Sequence, residues 1–188
     1  MKQGKIIILI LSSPSGGGKT TVYKRLLRRI AGLRYSVSYT TREPRRGEKD
    51  GKDYFFVSPA DFRAMVRRGE FLEWQKVFGR YYGTSSDYVR KFTEKGHNVI
   101  MDIDVKGGRY LKAREKDRII AVFLMPPSVG ELEKRLWRRA TDSPAEIKKR
   151  LREVRKELKY RRFYDYIIIN DDLDRVVREI ASIIKGAS

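Results

Sequence analysis

The chain of 188 residues contains no cysteine and a single histidine, His97. The first absence excludes a disulfide framework and any thiolate metal site. Long apolar runs are missing too. The longest, Ile6 to Leu11, is bounded by Lys5 and Ser12 and has the length of a strand, far short of a bilayer span. It starts close to the terminus and lacks a small-residue cleavage site, so no signal peptide is expected. A cytoplasmic protein with no membrane partner is the expectation. Side-chain amides are scarce, and acids are outnumbered: 43 Lys and Arg face 24 Asp and Glu, a formal charge of +19. That balance admits a nucleic-acid or membrane-surface binder, a pocket for polyanionic small molecules, or a heat-adapted solvated surface. The basic residues are spread among Glu and Asp along the whole chain, and net charge alone does not choose. Hydrophobic residues, at 40%, suffice for a core, and the length suits one compact unit with small insertions.

What is present is an alternation. Lys5 to Ser12 reads as a buried parallel strand, and glycines follow it. Thr20 to Ala31 has apolar residues at helical spacing (Val22, Leu26, Leu27, Ile30), with Gly32 ending it. Further buried strands are expected over Asn98 to Asp104, Ile119 to Met125 and Tyr166 to Asn170. Helices are expected over Ser128 to Arg139, Pro144 to Arg161 and Leu173 to Ile184. Such alternation argues for an α/β fold with a parallel sheet between helices. The stretch from Tyr35 to Lys95, with short aromatic segments between turns, reads as a small, partly β insertion. Ser128 to Arg161, rich in Arg, Lys and Glu and broken by Asp142-Ser143-Pro144, reads as two charged helices forming a mobile lid. The expected division is a core of residues 1–34, 96–127 and 162–188, an insertion of 35–95 and a lid of 128–161.

The segment Ser13-Pro14-Ser15-Gly16-Gly17-Gly18-Lys19-Thr20, followed by Thr21, carries the chemistry between the first strand and the first helix. Glycines let backbone N–H groups converge on phosphates, Lys19 is placed to reach the β- and γ-phosphates, and the Thr20 hydroxyl suits Mg²⁺. The helix that starts there adds its positive end. Ser13 stands where the strict pattern has glycine, a position that could require a backbone angle serine tolerates poorly. The loop establishes ATP or GTP chemistry without naming the acceptor. GTPases also need an Asn-Lys-x-Asp segment, and none occurs.

Ser36-Val37-Ser38-Tyr39-Thr40-Thr41-Arg42-Glu43-Pro44-Arg45-Arg46-Gly47-Glu48 sets two arginines three residues apart behind a run of hydroxyls, a composition suited to a phosphate dianion. Gly51-Lys52-Asp53-Tyr54, Glu73-Trp74, Tyr82-Gly83-Thr84, Asp102-Ile103-Asp104 and Asn170-Asp171-Asp172 follow in order. With these seven motifs, spanning nearly its whole length, the chain resembles the guanylate kinases of bacterial type. The resemblance implies a P-loop nucleoside monophosphate kinase fold with a GMP-binding insertion and a helical lid. It also implies Mg²⁺-dependent transfer of the ATP γ-phosphate to GMP, and to dGMP. By resemblance, Ser38, Arg42, Arg45, Tyr54 and Tyr82 hold the GMP phosphate, and Glu73, Thr84 and Asp104 read guanine. Thr84 has the second possibility of capping the helix that begins after it. Arg135, Arg139 and Arg150 match lid arginines that offset charge during transfer, with Arg139 and Asn170 also implied at adenine. Ala140 stands where the family has glycine, which would stiffen the lid. Asp102 is expected to hold water on the metal. His97 is read as a surface residue and Trp74 and Trp137 as packing residues. The attacking phosphate oxygen is already anionic near neutral pH, so no general base is required.

Other classes remain to be set against this reading. A guanylate-kinase-like scaffold module keeps the acceptor site but characteristically loses the phosphate loop, and Lys19-Thr20 is present. A nucleic-acid binder would need a recognition module, and none is apparent; only weak non-specific binding is expected. A sugar-phosphate kinase would have no use for Glu73 with Asp104. A monomer or small homo-oligomer is expected.

Overall fold

The computed structural model describes residues 6–116, 118–138 and 144–187. Its first sheet joins β1 (Ile8–Ser12), β2 (Arg34–Tyr35), β7 (Val99–Asp102), β8 (Ile119–Met125) and β9 (Tyr166–Ile169) in the order β2-β7-β1-β8-β9, every pair parallel. The near-continuous apolar runs predict this, since both faces are covered. Leu9 and Leu11 of β1 face one cluster with α1 (Lys19–Arg29) and α7 (Leu173–Ala187). Ile10 faces the other, with Val105 and Leu111 of α4 (Val105–Arg114) and Val89 of α3 (Ser86–Thr93). Parallel register sets Leu11 opposite Asp102 and Ser12 opposite Phe123, so the carboxyl ends of β1, β7 and β8 open on one side. Ligands in open α/β sheets bind at that side.

The second sheet takes all its strands from residues 39–85: β3 (Tyr39–Thr40), β4 (Phe55–Phe56), β5 (Phe71–Val77) and β6 (Arg80–Ser85), ordered β4-β3-β6-β5. Stacked rings of Phe62, Phe71 and Tyr81 hold it to α2 (Pro59–Arg67). A two-residue turn, Phe78-Gly79, joins β5 to β6 with φ of +47° and +83°. Positive φ at both central residues marks the primed hairpin turn that matches strand twist. The remaining elements are α5 (Val129–Arg138), α6 (Pro144–Glu157) and a 3-10 turn over Leu158–Phe163. Leu132, Leu136, Ile147 and Val154 form a separate buried cluster between α5 and α6. No helix among the described residues is long and apolar enough to cross a membrane.

Several expectations change in detail. The helix expected over Pro144 to Arg161 is α-helical only to Glu157 and then tightens to 3-10. α2, α3 and α4 are not legible from apolar spacing, α4 because Gly107-Gly108 sits in its first turn. A Cβ on Gly108 would strike the Tyr164 hydroxyl, and one on Gly107 the Glu73 carboxylate, so contact demands glycine where helix propensity opposes it. Trp74, on the outer face of β5, packs edge-on against the Tyr81 ring at 6.0 Å, yet it and Trp137 are each more than two-fifths exposed. His97 is half-buried against Phe92. The serine that caps α3 is Ser85, which accepts from the Tyr88 N–H, so Thr84 has no capping role.

Candidate active site

The phosphate loop leaves β1 at Ser12 and enters α1 at Lys19. Pro14 O accepts from Gly17 N at 2.9 Å, closing a turn whose third residue, Gly16, has φ +89°. That geometry places Ser15 at the turn's second position and requires a residue free of Cβ strain at the third. Gly18, also at φ +89°, is the N-cap of α1 and offers no side chain to the leading amides. No acid stands in the first turn, so those amides face the loop's concavity unopposed. Ser13 is buried without a positive φ, and its hydroxyl donates to Pro14 O. Its departure from glycine therefore carries no backbone strain. Lys19 Nζ reaches Ser13 O at 3.5 Å and Asp102 Oδ1 at 3.6 Å. Thr20 opens into the same cavity; Thr21 is exposed outside it. Asn170, buried at the end of β9, donates to Gly17 O at 2.7 Å and thus grips the loop from behind.

One cavity of about 500 Å³ runs from this loop to the second sheet. On its far wall stand Ser38, Arg42, Arg45, Tyr54 and Tyr82. Glu48 organises the arginines: its carboxylate accepts from Arg42 Nη2 at 2.9 Å and from Arg45 N at 2.8 Å. Burial works against that charge, but the Arg42 and Arg45 bonds outweigh it and hold the Glu48 carboxyl below its ordinary range. The Arg42 guanidinium lies over the Tyr54 ring, 5.3 Å from its centre. Burial, with Asp102 adding to it, keeps the Tyr54 hydroxyl protonated at any ordinary pH.

At the cavity's end, Glu73 is 6% exposed on β5, opposite Thr84 of β6. Thr84 Oγ1 donates to Glu73 Oε1 at 2.8 Å and stands behind it, outside the cavity lining. Burial pushes the Glu73 carboxyl up to about 8, with neighbouring Asp104 adding to the rise and the Thr84 bonds opposing it. Asp104 caps α4, its Oδ1 accepting from Lys106 N at 2.8 Å and Gly107 N at 2.6 Å. Two carboxyl groups thus converge beside a helix N-terminus, one of them out of water.

Sequence reasoning named most of this wall but missed several of its members. Tyr23, one turn along α1 from Thr20, lines the cavity with its ring stacked on Tyr35 at 4.3 Å. Burial pushes its hydroxyl up to about 12. Gln75 and Val77 join Glu73 on one face of β5, a placement that strand alternation could have revealed. Phe78 and Arg80 enter from the hairpin. Glu157 also lines the cavity, beside Arg150, which the resemblance did imply and which donates to Ser15 Oγ at 2.9 Å. Arg135 lies on α5, but its side chain, like Arg139 and Ala140 entirely, falls outside the described residues.

Comparisons with known proteins agree with this geometry. The family model described as Guanylate kinase matches residues 5–187. A guanylate kinase from the Wolbachia of Brugia malayi is 46% identical over 178 residues, covering 95% of this chain and 91% of its own. One from Caldanaerobacter subterraneus subsp. tengcongensis is 45% identical over 184 residues, covering 97% and 87%. The crystal structure of guanylate kinase from Anaplasma phagocytophilum superposes with a TM-score of 0.82 at 33% identity, covering 97% of this chain and 86% of that one. A phosphate loop facing a wall of arginines, with a desolvated carboxyl at its end, and a family match over almost every residue lead to one conclusion: the chain belongs to the guanylate kinase family.

Proposed function

We propose that this guanylate kinase transfers the γ-phosphate of ATP to the phosphate of GMP or dGMP, giving ADP and GDP or dGDP, by positioning and charge neutralisation alone. The observation that carries the reading is the single cavity joining the phosphate loop to Glu73 and Asp104. The loop amides and Lys19 hold the ATP phosphates. Ser38, Arg42, Arg45, Tyr54 and Tyr82 hold the GMP phosphate, and the arginine forks match its dianion. Guanine offers N1–H and an exocyclic amino group on one edge. Glu73 accepts from them, steadied by Thr84, with Asp104 beside it. Adenine has no N1–H and would leave a buried carboxyl unpaired, a loss that costs several powers of ten in selectivity.

The acceptor oxygen and the γ-phosphorus are both held, so the bimolecular step becomes effectively unimolecular. Charge on the transferring group is met by Lys19 and Arg150, with Arg42 and Arg135 assigned to the same task. Arg139 is assigned to the adenine side. The donor set fits Mg²⁺: a hydroxyl at Thr20 and a carboxylate at Asp102 line the cavity, a sparse set suited to an ion that keeps its waters and binds through substrate phosphates. When bound, the ion neutralises charge on the β- and γ-phosphates. Residues 35–95 form the acceptor-binding unit and 128–161 the lid.

A coupled ADP-release assay across GMP, dGMP, AMP, CMP and UMP tests the reading, with turnover expected on the guanine nucleotides alone. Lys19→Ala is expected to lower kcat by about 10³-fold or more while GMP still binds. Equal turnover of AMP, or near-normal turnover of Lys19→Ala, would refute the assignment of Glu73 or of Lys19.

A further inference from the structure

Beside a loop built to hold anions stands an anion. Glu157 is the last residue of α6, where the backbone tightens from α to 3-10. Its Oε2 accepts from the Ser15 backbone N–H at 3.1 Å. Ser15 is the second residue of the Pro14–Gly17 turn, and its amide is bonded outside that turn. Seven residues earlier on the same stripe of α6, Arg150 Nη1 bonds the hydroxyl of the same serine at 2.9 Å. Between them Val154 is fully buried against Leu132 and Leu136. Leu136 in turn sits under the loop, where a Cβ on Gly16 would come within 3.1 Å of its Cδ2. The ring of Phe78 lies 4.9 Å from the Arg150 guanidinium on the other side. α6 is therefore docked on the phosphate loop through the amide and the hydroxyl of one residue.

A half-buried carboxylate next to a phosphate site opposes the ligand's charge. Burial favours its protonated form, with Asp104 and Glu153 adding to it, and the Ser15 N–H and the charge of Lys19 work against that. Its retention calls for a positional return. The Ser15 amide is engaged by α6, while the Gly17 amide closes the turn on Pro14 O. Fixing it fixes the turn from which the chain runs on to Gly18 and the leading amides of α1.

We propose that Glu157 is a positioning residue for the donor site: through the Ser15 amide it sets the phosphate loop in its ATP-holding shape and couples that shape to the seating of α6. This rests on the assignment of the loop to ATP.

Two substitutions separate the bond from the charge. Glu157→Gln keeps an acceptor oxygen for Ser15 and removes the repulsion toward ATP, so KM for ATP is expected to equal or fall below the parent value. Glu157→Ala loses the bond, and KM for ATP is expected to rise about tenfold with KM for GMP within twofold. Hydrogen exchange at the Ser15 amide should accelerate in Glu157→Ala and stay slow in Glu157→Gln. If the alanine variant does not fold, Glu157→Asp replaces it, with a shorter reach and the same expected order. A purely structural role would lower the melting temperature and move both KM values together; that result overturns the proposal. So does equal impairment of the Gln and Ala variants, or an unchanged KM for ATP in Glu157→Ala. Lys19→Ala run alongside distinguishes the failures. If it still turns over, the loop assignment falls; if it is dead while Glu157→Ala is unaffected, only this proposal falls.

Discussion

Among single residues, Glu73 carries the sharpest consequence, because its environment conflicts with its assigned task. To accept two donors from guanine it must be ionised, yet burial pushes its carboxyl up to about 8. Near neutral pH the free protein therefore holds it largely protonated, and GMP binding draws the proton off. Affinity for GMP should tighten as pH rises from 6.5 to about 8, by up to tenfold per unit, and level off above. Titration calorimetry in buffers of different ionisation enthalpy would read the released proton directly. The same shift sets a stability trend. Between the ordinary carboxyl value of 4.5 and about 8 the folded chain binds more protons here than the unfolded chain, so this site costs stability as pH rises through that window. Glu73→Gln, neutral and isosteric, should lose the GMP pH dependence. At pH 8.5 it should melt above the parent by about 2–4 °C for each kcal/mol relieved, with the gap closing toward pH 4.5. A variant whose GMP affinity keeps the parent's pH slope would remove Glu73 as its source. The sequence named Glu73 by motif, but its burial was not legible there: β5 alternates only loosely, and the residue is dried by α4 and Thr84, which lie 11 or more positions away.

The secondary-structure elements divide by how local their causes are. β1, β8 and α7 were legible because long apolar runs and helical spacing specify them without outside help. β2, two residues long, exists only because β7 lends it a partner. α4 is the instructive failure. Gly107-Gly108 lowers its intrinsic propensity by about 1 kcal/mol per residue, and the helix forms because Asp104 caps it and its apolar face is buried. Gly107 lets that helix start flush against the Glu73 carboxylate. In an ordinary helix interior Gly→Ala stabilises. Here Gly107→Ala should instead displace Glu73, raising KM for GMP about tenfold or more and leaving KM for ATP nearly unchanged. The melting temperature should not rise. A more stable variant with parental GMP kinetics would show that the contact between α4 and β5 is slack.

The whole molecule carries the charge that composition could not interpret. Even with every carboxylate paired, 19 cations remain unbalanced. Some ion pairs at the surface, such as Arg175 with Glu179 or Arg90 with Asp87, join neighbours on one helix, and others, such as Arg25 with Asp174, tie α1 to α7; all of these are well exposed. Pairs of that kind contribute a few tenths of a kcal/mol each and do not offset a net field. Part of the excess has a use, since Lys19, Arg42, Arg45, Arg80 and Arg150 all face the cavity where two polyanions must meet. The rest is mutual repulsion over a small surface. Screening should relieve it: the Debye length falls from about 30 Å at 0.01 M salt to about 10 Å at 0.1 M. Melting temperature should therefore climb by several degrees between 10 and 200 mM sodium chloride, while KM for both nucleotides rises as the attraction at the cavity weakens. Chloride is the right salt, because sulfate or phosphate would occupy the loop and stabilise by binding. A surface held together by ion-pair networks, as a heat-adapted reading of the composition requires, predicts the opposite sign, since salt weakens attraction as well as repulsion. A melting temperature that falls with chloride would therefore establish cooperative pairing across the surface and leave only the cavity arginines as a functional excess of charge.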